Sequence, residues 1–181
     1  SVELHCKQTA ILAAQYGNFV ELEKTAMIAG WLHDIGKMTA TFNEYIHGEN
    51  SCRRGEIDHS FAGAKYLKEL AQRSEDADLR KTASLIGRVI LSHHGLNDWV
   101  DDEGKDTYSR RTEKESCYSE ILHNFHESGL ETELDAGMHD AVREVKAIRA
   151  ELRNMAGDSK EQFAFYLGML ERLLQSILID A

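Results

Sequence analysis

Apolar residues recur every three or four positions along nearly the whole chain, and this helical period restricts the possible folds more than any other feature of the sequence. No segment shows the alternation of apolar and polar residues that a half-buried strand requires. The chain contains no proline, which is consistent with long, uninterrupted helices. We therefore expect an all-α fold, with helices at about 3–16, 20–34, 59–72, 79–94, 113–127, 134–155 and 159–180 and a weaker one at 39–47.

Size and composition predict a single domain that spans residues 1–181. A chain of 181 residues that is 42% hydrophobic can bury one substantial core. Segments 48–58 and 95–111 are rich in glycine and polar residues and predict loops within that domain. The three cysteines form no CxxC pair, which predicts a reducing, cytoplasmic environment. No apolar run approaches the roughly 20 residues that span a bilayer, so we expect no membrane segment.

The segment AMIAGWL at 26–32 is apolar on almost every side and is therefore typical of a central, buried helix. It ends in His33 and Asp34. The last two helices instead carry one apolar stripe each, which we interpret as core packing. These stripes contain Leu134, Met138, Val142, Val145, Ile148, Leu152 and Met155, and Phe163, Leu167, Leu170, Leu174 and Ile177.

Five of the nine histidines, together with one aspartate, are expected to face inward from helix ends or apolar faces. An unpartnered polar side chain is costly in such positions, so these groups need a shared partner. Neutral imidazoles and a carboxylate are good ligands for Mn, Fe, Co, Ni or Zn. One aspartate with histidines on both sides predicts two cations. The candidate ligands are His5, His33, Asp34, His59, His93 and His94.

The remaining histidines have a different context. His139 and Asp140 repeat the His-Asp dipeptide, but they lie off the apolar stripe of their helix and are expected to be solvated and without function. His47, His123 and His126 are expected at the surface or at the edge of the core.

The net charge of −10 argues against a protein that grips duplex nucleic acid by itself, because such proteins usually present a basic face. Positive charge for nucleic-acid chemistry would have to come from bound metal, a few local side chains or a partner. Segment 95–111 could bind a single strand through Trp99, Tyr108, Arg110 and Arg111. The alternative is a solvated loop that Trp99 anchors.

Together these residues resemble the HD phosphohydrolase superfamily, which is named for its His…His-Asp…Asp metal ligands. Over nearly its whole length the chain is similar, more closely, to the HD nuclease domain of the CRISPR-associated helicase–nuclease of type I interference systems. The matching segments are His5, AGWLHDIGK at 29–37, Phe42, EIDHSFAGAKYL at 56–67, SHHG at 92–95 and RLLQSILIDA at 172–181.

The resemblance implies a bundle of seven to eight helices around a di-metal site. It assigns one cation to His5, His33, Asp34 and a late aspartate, and the other to Asp34, His59, His93 and His94. In many relatives the last segment continues Asp-Ala-Asp, so the late ligand is either Asp180 or a second aspartate after Ala181.

The implied activity is metal-dependent hydrolysis of phosphodiester bonds in single-stranded DNA, as an endonuclease or exonuclease of CRISPR antiviral defence. A histidine-rich site favours Mn, Co, Ni or Fe over Mg, which prefers oxygen ligands. The implied partners are single-stranded DNA, a helicase domain or subunit, and the CRISPR surveillance complex.

Lys37 follows Asp34 by three residues. It either approaches the phosphate oxygens as a catalytic cation or is a solvated charge at a helix C-terminus. Gly36 and Gly95 are expected to end their helices as C-terminal glycines. Two other functions stay open. One is a nucleotidase or cyclic-nucleotide phosphodiesterase of the same superfamily, and the other is a catalytically silent docking module that binds no cation tightly.

Overall fold

The computed structural model describes residues 1–48, 59–95 and 107–181. Within these ranges the chain forms nine α-helices, one short 3-10 helix and no strand, which confirms the all-α prediction. The 3-10 helix is Ile35–Lys37. The α-helices are α1 (Val2–Asn18), α2 (Glu23–Leu32), α3 (Ala40–His47), α4 (Phe61–Gln72), α5 (Ala77–Leu91), α6 (Tyr108–Thr112), α7 (Tyr118–Glu127), α8 (Leu130–Ala156) and α9 (Lys160–Asp180). None of the helices described combines the length and the hydropathy that a bilayer span requires.

Helix α2 is the central helix, as its all-round apolar surface predicts. It is buried at Thr25, Ala26 and 28–32, and α1, α4, α5, α8 and α9 pack around it. The N-terminus of α2 has no side-chain cap of its own. Glu144 of α8 takes this role, because its carboxylate accepts hydrogen bonds from the amides of Lys24 and Thr25, both at 2.8 Å. A carboxylate there also complements the helix dipole, so α8 fixes the position of α2.

The described helices number nine rather than seven to eight, because α6 forms within a segment predicted as a loop. Tyr108 and Thr112 of α6 are buried, and this tertiary contact stabilises a helix whose polar sequence shows no period. The helix predicted at 113–127 begins only at Tyr118. Residues 96–106 of that predicted loop, including Trp99, lie outside the described residues, as does most of the loop predicted at 48–58. Met155, predicted in the α8 stripe, is 65% exposed.

Close backbone contact at two glycines brings the end of α2 to the start of α4. A Cβ atom on Gly36 would lie 2.0 Å from the carbonyl oxygen of His59, and one on Gly63 would lie 2.2 Å from that of Leu32. Any side chain at either position would therefore push the two helices apart. The segments that carry His33, Asp34 and His59 meet because both positions are glycine.

The expected role of Gly36 as the C-terminal glycine of its helix is wrong, because α2 ends at Leu32 and Gly36 does not have a positive φ. Among the described residues, the glycines with positive φ are Gly48, Gly129 and Gly157. Gly36 lies inside the 3-10 helix, and its absent side chain serves the contact with His59 instead.

Candidate metal centre

His33 and Asp34 follow the last turn of α2 and are 5% and 2% exposed. The ring of His33 is fixed by its own helix, because Nδ1 donates to the carbonyl of Gly30 at 2.8 Å. His93 repeats this arrangement after α5, where Nδ1 donates to the carbonyl of Ile90 at 2.6 Å. With the proton of a neutral ring on Nδ1, both imidazoles turn the lone pair of Nε2 toward Asp34.

The two oxygens of the Asp34 carboxylate face different histidines. Oδ2 lies 3.0 Å from Nε2 of His5 and 3.2 Å from Nε2 of His33. Oδ1 lies 3.5 Å from Nε2 of His59 and 3.7 Å from Nε2 of His93. Nε2 of His94 is 2.6 Å from Nε2 of His59. Asp34 thus belongs to two groups of candidate ligands, His5 with His33 and Asp34, and Asp34 with His59, His93 and His94.

Two buried polar atoms at this centre have no hydrogen-bond partner among the described residues. They are Oδ1 of Asp34 and Nε2 of His93. An unsatisfied buried polar atom costs about 1–3 kcal/mol. The carboxylate oxygen and the unprotonated nitrogen are both acceptors, so they cannot bond to each other. A divalent cation between them would satisfy both atoms at once.

The spacing of the donor atoms also fits divalent cations. A cation about 2.1 Å from each ligand places neighbouring ligands roughly 3.0–3.4 Å apart in octahedral or tetrahedral geometry. In the first group the three donor atoms of His5, His33 and Asp34 are 3.0, 3.1 and 3.2 Å apart. In the second group the spacing is less even, and the donor atoms all lie within 4.8 Å of one another.

Protonation at neutral pH favours the same interpretation. Burial by itself raises the pKa of Asp34, but interactions with His33, His93 and Lys37 outweigh burial and hold this pKa well below its usual range. Burial, with a contribution from the neighbouring His93, lowers the pKa of His94 to about 4. Burial and the nearby His33 also lower the pKa of His5. Asp34 is therefore ionised and His5 and His94 are neutral, which are the forms that bind metal.

A cavity of about 680 Å³ opens onto the centre. His33 and Asp34 form buried parts of its lining, whereas the side chain of His5 is 53% exposed. His94 is exposed as well, so these two histidines reach the centre from its solvent side. Their exposure leaves the centre accessible from solvent. Apolar side chains complete the wall of the cavity, among them Ile11, Leu12, Leu178 and Ile179.

Lys37 faces the centre. Its Nζ lies 2.5 Å from Oδ2 of Asp34 and 5.6 Å from the centre of the Phe42 ring. The side chain is only 21% exposed, which is not the environment of a solvated cation at a helix end. The ammonium group therefore contributes positive charge beside the carboxylate.

Asp180 does not approach the centre. It is exposed, and the two groups of candidate ligands do not include it. Leu178, Ile179 and Ala181 of the same segment line the cavity instead. Asp180 is the last residue of α9, and Ile179 beside it is 58% exposed, so this end of the helix is only partly covered. The expectation that Asp180 faces inward is corrected accordingly.

Arg111 has a different role from the predicted one. Instead of extending from a loop toward DNA, its guanidinium turns inward, where Nη1 donates to the carbonyl of Leu91 at 3.0 Å and Nη2 to Oγ of Ser60 at 2.6 Å. These contacts join the end of α5, next to His93, to the start of α4, next to His59. Arg110 is exposed.

Gln175 is a residue of the site that its sequence context did not predict. This residue of α9 is 3% exposed, and its Nε2 donates to the carbonyl of Ser92 at 2.5 Å, directly before His93. An amide within the apolar stripe of α9 is the sequence signal that could have identified it.

The other histidines lie at the surface, as expected. His47, His123, His126 and His139 are all exposed. The side chain of His139 is 81% exposed, and its Nδ1 lies 3.5 Å from Oδ1 of Asp140. Burial therefore separates the two His-Asp pairs of this chain, since His33-Asp34 is enclosed and His139-Asp140 is solvated.

Comparison with known proteins identifies one family. The family model described as the HD domain matches residues 2–123, about two thirds of the chain. This region contains every candidate ligand except Asp180. No curated protein and no solved structure matches the chain significantly.

Proposed function

The chain belongs to the HD domain family of metal-dependent phosphohydrolases, and we propose that it hydrolyses phosphodiester bonds of single-stranded DNA with two divalent cations. The observation that carries the proposal is the position of Asp34. Each oxygen of this buried carboxylate faces a separate group of histidines, and one oxygen has no other partner.

His5, His33 and Asp34 would hold one cation, and Asp34, His59, His93 and His94 the other. Imidazole-rich ligands favour Mn, Co, Ni or Fe over Mg. When bound, two such cations act as Lewis acids toward the phosphate and lower the pKa of water. The chain's own contribution is to keep Asp34 ionised and the imidazoles oriented. Lys37 adds an ammonium group that balances the negative charge developing on the phosphate oxygens.

The proposed substrate is a strand presented by a partner rather than one captured from solution. The net charge of −10 disfavours unaided capture of a polyanion. We propose that a helicase domain or subunit delivers the strand in the cytoplasm, together with a CRISPR surveillance complex, in antiviral defence. The exposed His5 and His94 at the cavity leave space for a strand to enter.

The test is hydrolysis by the Mn²⁺-loaded protein, assayed separately on circular single-stranded DNA, mononucleotides and cyclic nucleotides. The expected result is cleavage of the circular DNA. An Asp34→Asn variant should lose activity by about 10³-fold or more, because several kcal/mol of charge stabilisation depend on the bound cations. A His139→Ala variant is the matched control and should behave as wild type, because His139 is solvated.

Two results would contradict the proposal. Hydrolysis of nucleotides without cleavage of circular DNA would indicate a nucleotidase or cyclic-nucleotide phosphodiesterase. If elemental analysis finds no bound cation although every histidine is intact, and the protein hydrolyses none of the substrates, the result would indicate a silent docking module.

A further inference from the structure

A second cavity, of about 420 Å³, lies between α5, α8 and α9 and is separate from the metal centre. We call it the basic groove, and its charged lining is Arg80, Lys81 and Arg149 with one carboxylate, Glu171. This concentration of positive charge is unusual in a chain whose net charge is −10. A cleft lined by one sign of charge attracts ions of the other sign.

The cluster of cationic side chains continues beyond the residues that line the basic groove. The guanidinium groups of Arg149 and Arg153 both lie over the ring of Phe163, 5.5 and 3.5 Å from its centre. The two like charges are thus held side by side, and among the described residues neither forms an ion pair with a carboxylate. Burial and the neighbouring Arg153 lower the pKa of Arg149, as expected where like charges repel. An anion in the groove would relieve that repulsion.

Asp78, which pairs with Lys81 of the groove, is not available to that lysine alone. Asp78 is shared between two cations, since its oxygens lie 2.8 Å from Nζ of Lys81 and 3.1 Å from Nζ of Lys146. Arg80 donates to the carbonyl of Ser74 at 2.8 Å, which holds its guanidinium at the start of α5 without neutralising it.

The basic groove and the metal centre lie along the same two helices. Leu167 of α9 lines the groove and Leu178 lines the cavity at the centre, eleven residues or about 17 Å further along. On α5, Lys81 lines the groove and His93 follows the other end of the helix. At 3.4 Å per stacked nucleotide this separation corresponds to roughly five steps of a single strand, and to fewer if the strand is extended.

We propose that the basic groove binds the phosphate backbone of the single-stranded substrate several nucleotides from the bond that is cleaved. This inference rests on the proposed function for the identity of the polymer. It implies that the chain prefers strands long enough to reach both places over mononucleotides and short oligonucleotides.

The test measures binding of two labelled single-stranded DNAs, one of about 3 and one of about 20 nucleotides, to the full chain in EDTA at several salt concentrations. The longer strand exceeds the roughly five-step separation of the two places. The variant is Arg80→Glu/Lys81→Glu, two exposed positions on α5. It should bind the long strand at least about tenfold more weakly at 0.1 M salt, and the slope of log K against log salt should decrease by about 1.4. The short strand, which is too short to reach both places, should bind wild type more weakly than the long strand does.

An Arg149→Gln variant provides a second reading with less change of charge, and Arg143→Glu is the matched control. Arg143 is exposed on another face of α8, so its reversal should leave the binding of the long strand unchanged. Equal affinity and equal salt slope of Arg80→Glu/Lys81→Glu and wild type would overturn the proposal. The proposal would also be overturned if polyglutamate bound in the groove while the charge-reversed variant bound DNA as wild type does. That result would assign the groove to an acidic protein.

The assay separates this inference from the function on which it rests. If wild type binds the long strand through the groove but does not cleave it with Mn²⁺, the proposed nuclease function fails and the groove remains. If wild type cleaves the strand while the charge-reversed variant binds it equally well, the groove fails and the nuclease function remains.

Discussion

Replacing Gly36 with alanine would test whether backbone contact between the end of α2 and the start of α4 holds the metal centre together. A Cβ atom at this position would lie 2.0 Å from the carbonyl oxygen and 2.7 Å from the carbonyl carbon of His59. The backbone of His59 would have to move by about 1 Å to reach a tolerable separation. Such overpacking costs about 1–3 kcal/mol, which in a domain of this size lowers Tm by roughly 2–12 °C.

The same displacement has a specific effect on the centre. Nε2 of His59 lies 3.5 Å from Oδ1 of Asp34, so a shift of the His59 backbone would disturb the second group of ligands. The three atoms nearest to a Cβ atom on Gly36 all belong to His59, which is not part of the first group, so the first group should keep its geometry. We therefore expect a calorimetric titration with Mn²⁺ to show one retained cation and one weakened cation in Gly36→Ala.

The matched control is Gly168→Ala. Gly168 lies within α9, and a Cβ atom there would meet nothing within 4 Å. This variant should be unchanged or up to about 1 kcal/mol more stable, because alanine is the better helix former. Thermal unfolding of both variants decides the matter. If Gly36→Ala unfolded at the wild-type temperature and bound two cations normally, the reasoning about this contact would be refuted.

Three further predictions follow from the contacts of the centre. Arg111→Met removes charged hydrogen bonds to Leu91 and Ser60, so it should lower the free energy of unfolding by about 2–4 kcal/mol and weaken binding of the second cation but not of the first. Urea unfolding and cation titration check this, and the exposed Arg110→Met is the control. Lys37→Met should leave cation affinity equal or tighter and lower phosphodiester hydrolysis about 10²-fold, and unchanged turnover would contradict the role of its ammonium group. Burial raises the pKa of Cys6 to about 12, so at pH 9 it holds about a thousandfold less thiolate than thiol, and mass spectrometry after iodoacetamide treatment should find the exposed Cys117 modified and Cys6 intact until the protein unfolds.

The helices could be predicted from the sequence because their period is local. The all-round apolar surface of residues 26–32 correctly predicted the central helix, and the stripes of the last two helices correctly predicted most of their buried faces. Helix α6 could not be predicted, because Tyr108 and Thr112 are buried by contacts with distant elements and not by a repeating pattern. The same limit applies to Arg111, whose two acceptors lie twenty or more positions away along the chain.

The candidate ligands could be predicted by residue type, but the geometry around Asp34 could not. Which oxygen faces which histidine depends on how close α2, α4 and α5 approach one another, and the two glycines at 36 and 63 determine the approach of α2 and α4. The sequence does not distinguish a glycine that ends a helix from one that allows a backbone contact, so Gly36 was assigned the wrong role. Asp180 was misplaced because the period of α9 identifies a face of the helix but does not show whether another element covers its last residue.

The carbonyl contacts of His33 and His93 have a consequence for exchange of cations. Each ring is held by an acceptor only three residues earlier in its own segment, so its χ angles are already restricted before any ion arrives. The rotamer entropy of these two side chains is lost during folding, and binding an ion incurs little further ordering of them. One ion can therefore replace another without rearrangement of either ring, and the choice among metals then depends on availability and coordination preference.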